Sequence, residues 1–489
     1  MTLHCRKSTR NAPLTSRFPK KMFAAAGSSS RRWVLRSALF LLIPLVGTNA
    51  FTQTNAPSPQ PKPITLQDAV GIALKNNPTI QSADAYAEAV RSGIAEAEAG
   101  RYPRLDFSEG FTRGNNPVYV FGSLLTQRQF TAQNFALGFL NYPTPLDNFR
   151  MQFSAGVPIY DAGQASRRVR DARLDTEGAQ RARERTSQEI IFNVINAYTN
   201  ELLAHENVRV AEAALKSTQE DLARAQARQD QGQALLSDVL LAKVQMAQAQ
   251  EALISARNAE AIGQATLNVA MGVPEDAPHQ VQGALGETSF ESGTLVERQQ
   301  RALTARPDYQ QALIGKEKAT NGIHMARADF LPTVNAFSSW EVDNQNFASR
   351  GGNNWIAGAS LNFNLFDGGA RRARLAQSHA RERQAEAMQT QMASAVRLQV
   401  REAFLNLTAA RERMEVSRQS ASQIEESLRI LRDRYETGLA TITDLLGTET
   451  AHARAQRDYL NAVYDYRIAI AALELATGDL APGSQSVVR

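Results

Sequence analysis

The sequence predicts a mainly α-helical protein that carries membrane β-strands and is built from one helix-strand-strand-helix-helix unit used twice. Three observations point there. The stretch from Ala370 to Thr437 runs for 68 residues without Gly or Pro, so nothing in it breaks a helix. At about 1.5 Å per residue it extends roughly 100 Å, two to three times the span of an ordinary globular domain. One segment in each half of the chain alternates apolar and polar residues over ten to twelve positions, the length that crosses a bilayer at a tilt. Landmarks of the two halves recur 206 residues apart: Asp161 and Asp367, Gly163 and Gly369, Leu222 and Leu428, Gly232 and Gly438, Asp238 and Asp444, Gln250 and Gln456, Gly272 and Gly478. One offset kept over more than a hundred residues marks a duplication.

Taken in order, residues 1–50 hold nine Lys or Arg and no Asp or Glu, with an apolar run from Ala38 to Val46 and small residues at Thr48 and Ala50. That is the layout of a secretory signal peptide. The run is too short for a membrane-spanning helix and is broken by Pro44. Arg31 and Arg32 also resemble a twin-arginine signal, and Met22 is an alternative start. The whole chain has 54 basic and 49 acidic residues; without the leader the balance is 45 against 49. The basic character belongs to the leader, so no nucleic-acid partner is expected. The single cysteine, Cys5, lies there too. A chain without its leader therefore has no disulfide, thiol chemistry or thiolate metal site, and no cysteine follows the apolar run to accept a lipid anchor.

A Pro-rich linker is expected over 51–63 and the first repeat over 64–276. Thr65 followed by Asp68 caps a helix that continues to about Gly100, where Tyr102 and Pro103 stop it. A strand over 104–113, a loop over 114–147 and a strand over 148–160 follow. Phe149, Met151, Phe153, Ala155, Val157 and Ile159 share one face of that strand, opposite Arg150, Gln152, Ser154 and Gly156. Then come a long helix over 164–231, a helix over 234–271 and an inter-repeat loop over 277–294. The second repeat, 295–479, has a helix from Leu295 to Asp329, strands over 333–342 and 355–366, a long helix over 370–437 and a helix over 440–477; a tail covers 480–489. In the strand over 355–366, Trp355, Ala357, Ala359, Leu361, Phe363 and Leu365 oppose Ile356, Gly358, Ser360, Asn362 and Asn364. The apolar positions Ile424, Leu428, Leu431 and Tyr435 step by four, three and four, so the long helices need parallel partners. The helices over 234–271 and 295–329 together match one long helix and are expected to stack end to end beside it.

Four alternating strands cannot close a barrel, and hydrocarbon does not tolerate unpaired sheet edges. Closure requires copies of the chain, and counting allows a dimer or a trimer. Two turn segments, Gln231-Gly232-Gln233-Ala234-Leu235-Leu236-Ser237-Asp238 and Thr437-Gly438-Leu439-Ala440-Thr441-Ile442-Thr443-Asp444, and the corners Tyr160-Asp161-Ala162-Gly163 and Phe366-Asp367-Gly368-Gly369, resemble the TolC-like outer-membrane efflux protein family. The resemblance covers about residues 64–479. It implies a homotrimer: a twelve-stranded β-barrel in outer-membrane lipid that continues into a long periplasmic α-helical barrel. The tip of that barrel meets a periplasmic adaptor and an inner-membrane pump. The expected role is a passive exit duct of a tripartite efflux or type I secretion system for drugs, metals or other small solutes. The rival is a periplasmic coiled-coil scaffold that never spans the membrane.

The resemblance also places Asp444 in an acidic ring at the periplasmic entrance, and Asp238 and Tyr435 in links that hold the entrance closed. Gly232, Gly438 and Leu439 fall at the turns expected to dock the adaptor. A family gate arginine is Ala440 here and a second ring aspartate is Gly447, with Glu449 nearby as a substitute. From the residues alone, Asp238 and Asp444 stand where new helices begin, and capping also accounts for them. His205, His279, His324, His379 and His452 form no metal-ligand spacing, and no HExxH, phosphate-binding glycine loop or GxSxG is present. No enzyme, cofactor or metal is expected.

Overall fold

The computed structural model describes residues 62–347 and 349–488; the expected signal peptide and residues 51–61 of the linker lie outside them. The first repeat comprises β1 (Lys62–Ile64), α1 (Leu66–Asn76), α2 (Pro78–Ala99), β2 (Arg104–Gly114), α3 (Pro117–Thr126), α4 (Leu137–Asn141), β3 (Leu146–Tyr160), α5 (Gln164–Asp230) and α6 (Leu236–Met271). After β4 (His279–Val281), the second comprises α7 (Leu295–Ala305), α8 (Pro307–Ala328), β5 (Thr333–Asn344), β6 (Gly352–Asn362), α9 (Ala370–Glu436) and α10 (Ile442–Thr477), with α11 (Gln485–Val488) in the tail. Matching helices have equal lengths: 11 residues in α1 and α7, 22 in α2 and α8, 67 in α5 and α9, 36 in α6 and α10.

The ends of these helices follow from their sequences. Thr65 with Asp68 and Thr294 with Glu297 form capping boxes that start α1 and α7. The continuous helices expected over 65–100 and 295–329 are each split, because Pro78 and Pro307 have no N–H to continue a ladder and instead open α2 and α8. At the corners, Asp161 accepts the Gly163 N–H at 2.9 Å and the Ala165 N–H at 2.5 Å. Asp367 accepts those of Gly369 at 3.1 Å and Arg371 at 2.9 Å. Each aspartate thus satisfies the open end of a long helix while a left-handed glycine, Gly163 or Gly369, turns the strand into it.

The stacking differs from expectation. The carboxyl end of α6 meets the start of α2, where Asn77 donates from Nδ2 to the Ala270 carbonyl at 3.0 Å; that of α10 meets α8, where Arg306 donates from Nη1 to the Ala476 carbonyl at 3.1 Å. A Cβ at Gly272 would fall 2.7 Å from the Asn77 Cα, and one at Gly478 would fall 2.9 Å from the Arg306 nitrogen. Only glycine permits these junctions. Each long helix is accompanied by two helices of its own repeat, and α5 also packs on α8 and α10 of the other; what differs is that α6 abuts α2 rather than α8. An apolar core that includes Val194, Tyr198, Leu267, Val396, Val463 and Leu473 binds the helices at mid-length.

The strands form one antiparallel sheet in the order β2-β3-β5-β6. The register aligns Phe107, Phe153, Trp340 and Trp355 across all four strands, with Phe111 beside Phe149. Leu105, Phe107, Trp355 and Leu361 on this face are 72%, 59%, 78% and 68% exposed. The opposite face carries Arg150, which donates to Asp343 at 2.9 Å, and Asn148, which donates to the same carboxylate at 2.7 Å. β6 occupies Gly352–Asn362 rather than 355–366, because its partner β5 begins at Thr333, opposite Asn362. The alternation of Phe363 and Leu365 continues past the last ladder bond. Nor is the segment 114–147 a plain loop: Asn116 caps α3, and Gln127 at its end donates to Asn148 at 2.8 Å, laying α3 on the polar face of the sheet. The linker's last residues and the inter-repeat loop supply β1 and β4, which pair in parallel.

Candidate gate at the helical tip

At the end away from the sheet, α5 turns back into α6 and α9 into α10. Gly232 and Gly438 adopt φ of +69° and +80°. The Gln233 N–H reaches back to the Arg228 carbonyl and that of Leu439 to the Arg434 carbonyl, both at 2.8 Å. These bonds close the helix ends in the glycine-terminated manner. Leu439 is 76% exposed and Leu235 70%, with Leu236, Leu240 and Leu241 also exposed, so both turns are rimmed by apolar side chains.

Asp444 is exposed and stands in the first turn of α10, in a capping box with the N-cap Thr441. It accepts the Thr441 hydroxyl at 2.7 Å, and its own N–H donates to that hydroxyl at 3.2 Å. Asp238 accepts the Leu235 N–H at 3.3 Å. Tyr435 is buried at 4% exposure and is held by Arg228, whose guanidinium lies 4.4 Å from the ring centroid. Arg228 also donates to the Tyr435 and Glu436 carbonyls at 2.7 and 3.0 Å. Burial pushes the Tyr435 phenol up from its ordinary pKa, against the pull of Arg228.

Each hairpin has its own small apolar core: Leu428, Tyr435, Ile442, Leu445 and Leu446 in one, Ala225, Val239 and Ala242 in the other. Polar groups join the two hairpins. Glu449, expected beside Asp444 in the ring, faces α5 instead: it accepts the Ser217 hydroxyl at 2.7 Å and Arg432 Nη2 at 2.9 Å, and is 8% exposed. Asp221 is fully buried and accepts Arg224 Nη2 at 2.6 Å. Arg224 in turn reaches Glu436 at 3.6 Å. Burial, with the Glu449 carboxyl nearby and against the pull of Arg224, pushes Asp221 up to about 7.

Sequence reading missed Ser217, Asp221, Arg224, Arg228 and Arg432. The signal lay in the repeat itself. At the offset of 206, Asp221 corresponds to Ser427, Glu449 to Lys243, Arg432 to Gln226 and Arg224 to Ile430, so charge departs from the duplication where the hairpins touch. The histidines belong elsewhere: His279 pairs with Glu201 at 3.0 Å and His205 with Glu260 at 2.7 Å. Among the described residues no cluster of three or more His, Cys, Asp or Glu can hold a metal ion, and no helix is long and apolar enough to cross a membrane.

Among the described residues, a sheet with two free edges and an aromatic face is prolonged by helical hairpins that end in a capped tip, an architecture suited to one subunit of an envelope-spanning channel. The model of the family described as outer membrane efflux protein matches residues 69–273 and 299–479, and the chain belongs to that family. It is 28% identical over 408 residues to protein CyaE of Bordetella pertussis, covering 82% of this chain and 79% of that protein. To the alkaline protease secretion protein AprF of Pseudomonas aeruginosa it is 25% identical, over 85% of this chain and 84% of the other. Its fold matches the outer membrane channel CmeC of Campylobacter jejuni with a TM-score of 0.71 at 16% identity, covering 86% of this chain and 87% of that one. The chain is an outer-membrane exit duct with a periplasmic helical extension, and family membership sets the scaffold aside. Family members are channels rather than enzymes.

Proposed function

We propose that three copies of the chain close a twelve-stranded barrel, with the aromatic face in outer-membrane lipid and the Arg150–Asp343 face lining the lumen. The carrying observation is the sheet: among the described residues the edge strands β2 and β6 lack outer partners, and its large apolar side chains stand exposed. Hydrocarbon accommodates such side chains and forbids such edges, so lipid and copies of the chain answer both needs. Three copies supply four strands each.

The tip docks a periplasmic adaptor through Gly232, Gly438, Leu439 and the surrounding leucines, and an inner-membrane pump drives transport. Asp238 and Asp444 stand at the entrance, with Tyr435 in the wall behind them. The duct is passive and conducts drugs, metals or other small solutes. A second cargo class, secreted protein, is supported by the kinship with a protease secretion protein. No nucleic-acid partner is proposed, because the basic excess of the chain lies in its leader. Detergent fractionation with heat-modifiable migration tests the assembly. An outer-membrane band three times the chain mass that collapses on boiling is expected; a soluble periplasmic monomer overturns it. Mild crosslinking in cells, followed by identification of the captured adaptor and pump, then separates the two cargo classes.

A further inference from the structure

Beside the apolar core at mid-length lies a cavity of about 300 Å³, walled by the start of α1, by α5, by the inter-repeat loop, by α10 and by α11. Ile195, Leu202, Phe290, Ile470 and Val487 supply its apolar wall, and Arg467 is the only charged side chain among its lining residues. Arg467 donates from Nε to the Gly286 carbonyl at 3.1 Å and from Nη2 to the Thr288 hydroxyl at 3.4 Å. Both partners are neutral. Among the described residues it forms no ion pair, although burial lowers its pKa from the ordinary value with only the Tyr198 phenol opposing. A guanidinium has five N–H donors, so these two bonds leave three unused, and Nη1 makes no hydrogen bond yet is not sealed in protein.

A desolvated cation that meets only neutral groups is unfavourable, and here it stands at an open space. The duplication shows that the frame does not require it. At the offset of 206, Arg467 corresponds to Ala261, Tyr198 to Phe404 and Thr199 to Leu405. The matching helices α6 and α9 therefore pack without these polar groups, which the chain carries only where the cavity lies.

We infer that this cavity binds a small monocarboxylate with an apolar body, whose carboxylate takes the unused N–H groups of Arg467. Thr288 accepts from Arg467 and keeps its own hydroxyl proton to donate to the same carboxylate. One guanidinium offsets one negative charge, so a monoanion fits better than phosphate. The apolar wall favours a hydrocarbon or aromatic body over a bare ion. Such a ligand touches segments far apart in the chain and ties the inter-repeat loop and α11 to α5. Of these, α11 already hangs on the buried Glu474, which accepts the Gln485 N–H at 3.1 Å and the Ser486 N–H at 3.4 Å.

The test is calorimetric titration of the full-length protein in detergent with benzoate, with benzamide as its neutral counterpart of like shape, and with inorganic phosphate. Benzoate should bind once per chain, about tenfold or more tighter than either of the others. Arg467→Gln should abolish the preference for benzoate over benzamide. In the unmutated protein, benzoate should also slow amide hydrogen exchange over 284–290 and 485–488 where benzamide does not, a readout that stands even if the variant fails to fold. Absence of benzoate binding, the result expected if a carboxylate of a neighbouring subunit already fills the cavity, overturns the site. So do equal affinity for benzamide, protection confined to other segments, or a preference that survives Arg467→Gln. Phosphate binding more tightly than benzoate overturns the ligand class.

Discussion

At the scale of residues, Asp444 is the side chain on which capping and electrostatics can be separated. Its carboxylate accepts from the N-cap Thr441 in the capping box, a hydrogen bond that an asparagine carbonyl also accepts, without charge. Asp444→Asn should leave trimer stability within about 0.5 kcal/mol of the parent while lowering cation selectivity and block by multivalent cations, read as single-channel currents. Unchanged selectivity would leave the residue as a cap alone. Arg228 makes a complementary case. Arg228→Ala removes the stacking on Tyr435 and strands two carbonyls at the end of α9, a loss of about 1–3 kcal/mol at the tip. Higher resting conductance with an intact barrel is the expected result. The caps were legible in the sequence because a cap and its partner stand three residues apart. Asp221 and Glu449 stand 228 positions apart, and no local rule joins them.

Among elements, β3 offers the sharpest contrast, since neighbouring residues face opposite surroundings. Phe153 stacks 5.0 Å from Phe107 and 5.9 Å from Trp340, whereas Ser154 pairs with Asp106 and Ser339 on the polar face. Phe153→Arg should cost about 2–4 kcal/mol and impair assembly, while Ser154→Arg should be tolerated; urea titration of the inserted protein distinguishes them. Equal costs would refute the lipid assignment. The turn after α9 gives a second test. Gly438→Val forces a β-branched residue into positive φ, so the barrel should insert normally while adaptor capture and efflux fail. The strands and long helices could be read from period and length, whereas their edges could not. β6 stops where β5 runs out of partners, and α3 condenses in a nominal loop because Asn116 and Pro117 start a helix there. Stacking of α6 on α2 was equally hidden, because it depends on backbone approach at Gly272 rather than on helix length.

Across the whole molecule, the two repeats agree in their helices and disagree at the outer ends of their strands. The connection from β2 to β3 holds α3 and α4, whereas β5 and β6 are joined by residues 345–351 alone. Replacing residues 117–141 by a short Gly-Ser turn removes no strand and no part of the helical core. The expected outcome is a trimer of unchanged heat stability whose conductance rises, because α3 no longer lies on the polar face. Loss of the trimer would show that α3 supports the barrel.

The equality of α5 and α9, 67 residues each, makes the protein a gauge with two matched legs. Shortening one hairpin by a heptad in both of its arms preserves its own packing phase but lifts its turn by about 10 Å, so that Ser217 and Asp221 no longer stand level with Glu449. Shortening both hairpins together keeps every lateral contact and changes only how far the tip reaches. Length errors in this fold are therefore tolerable only in pairs, and the distance between membrane and tip is a quantity that the duplication keeps calibrated.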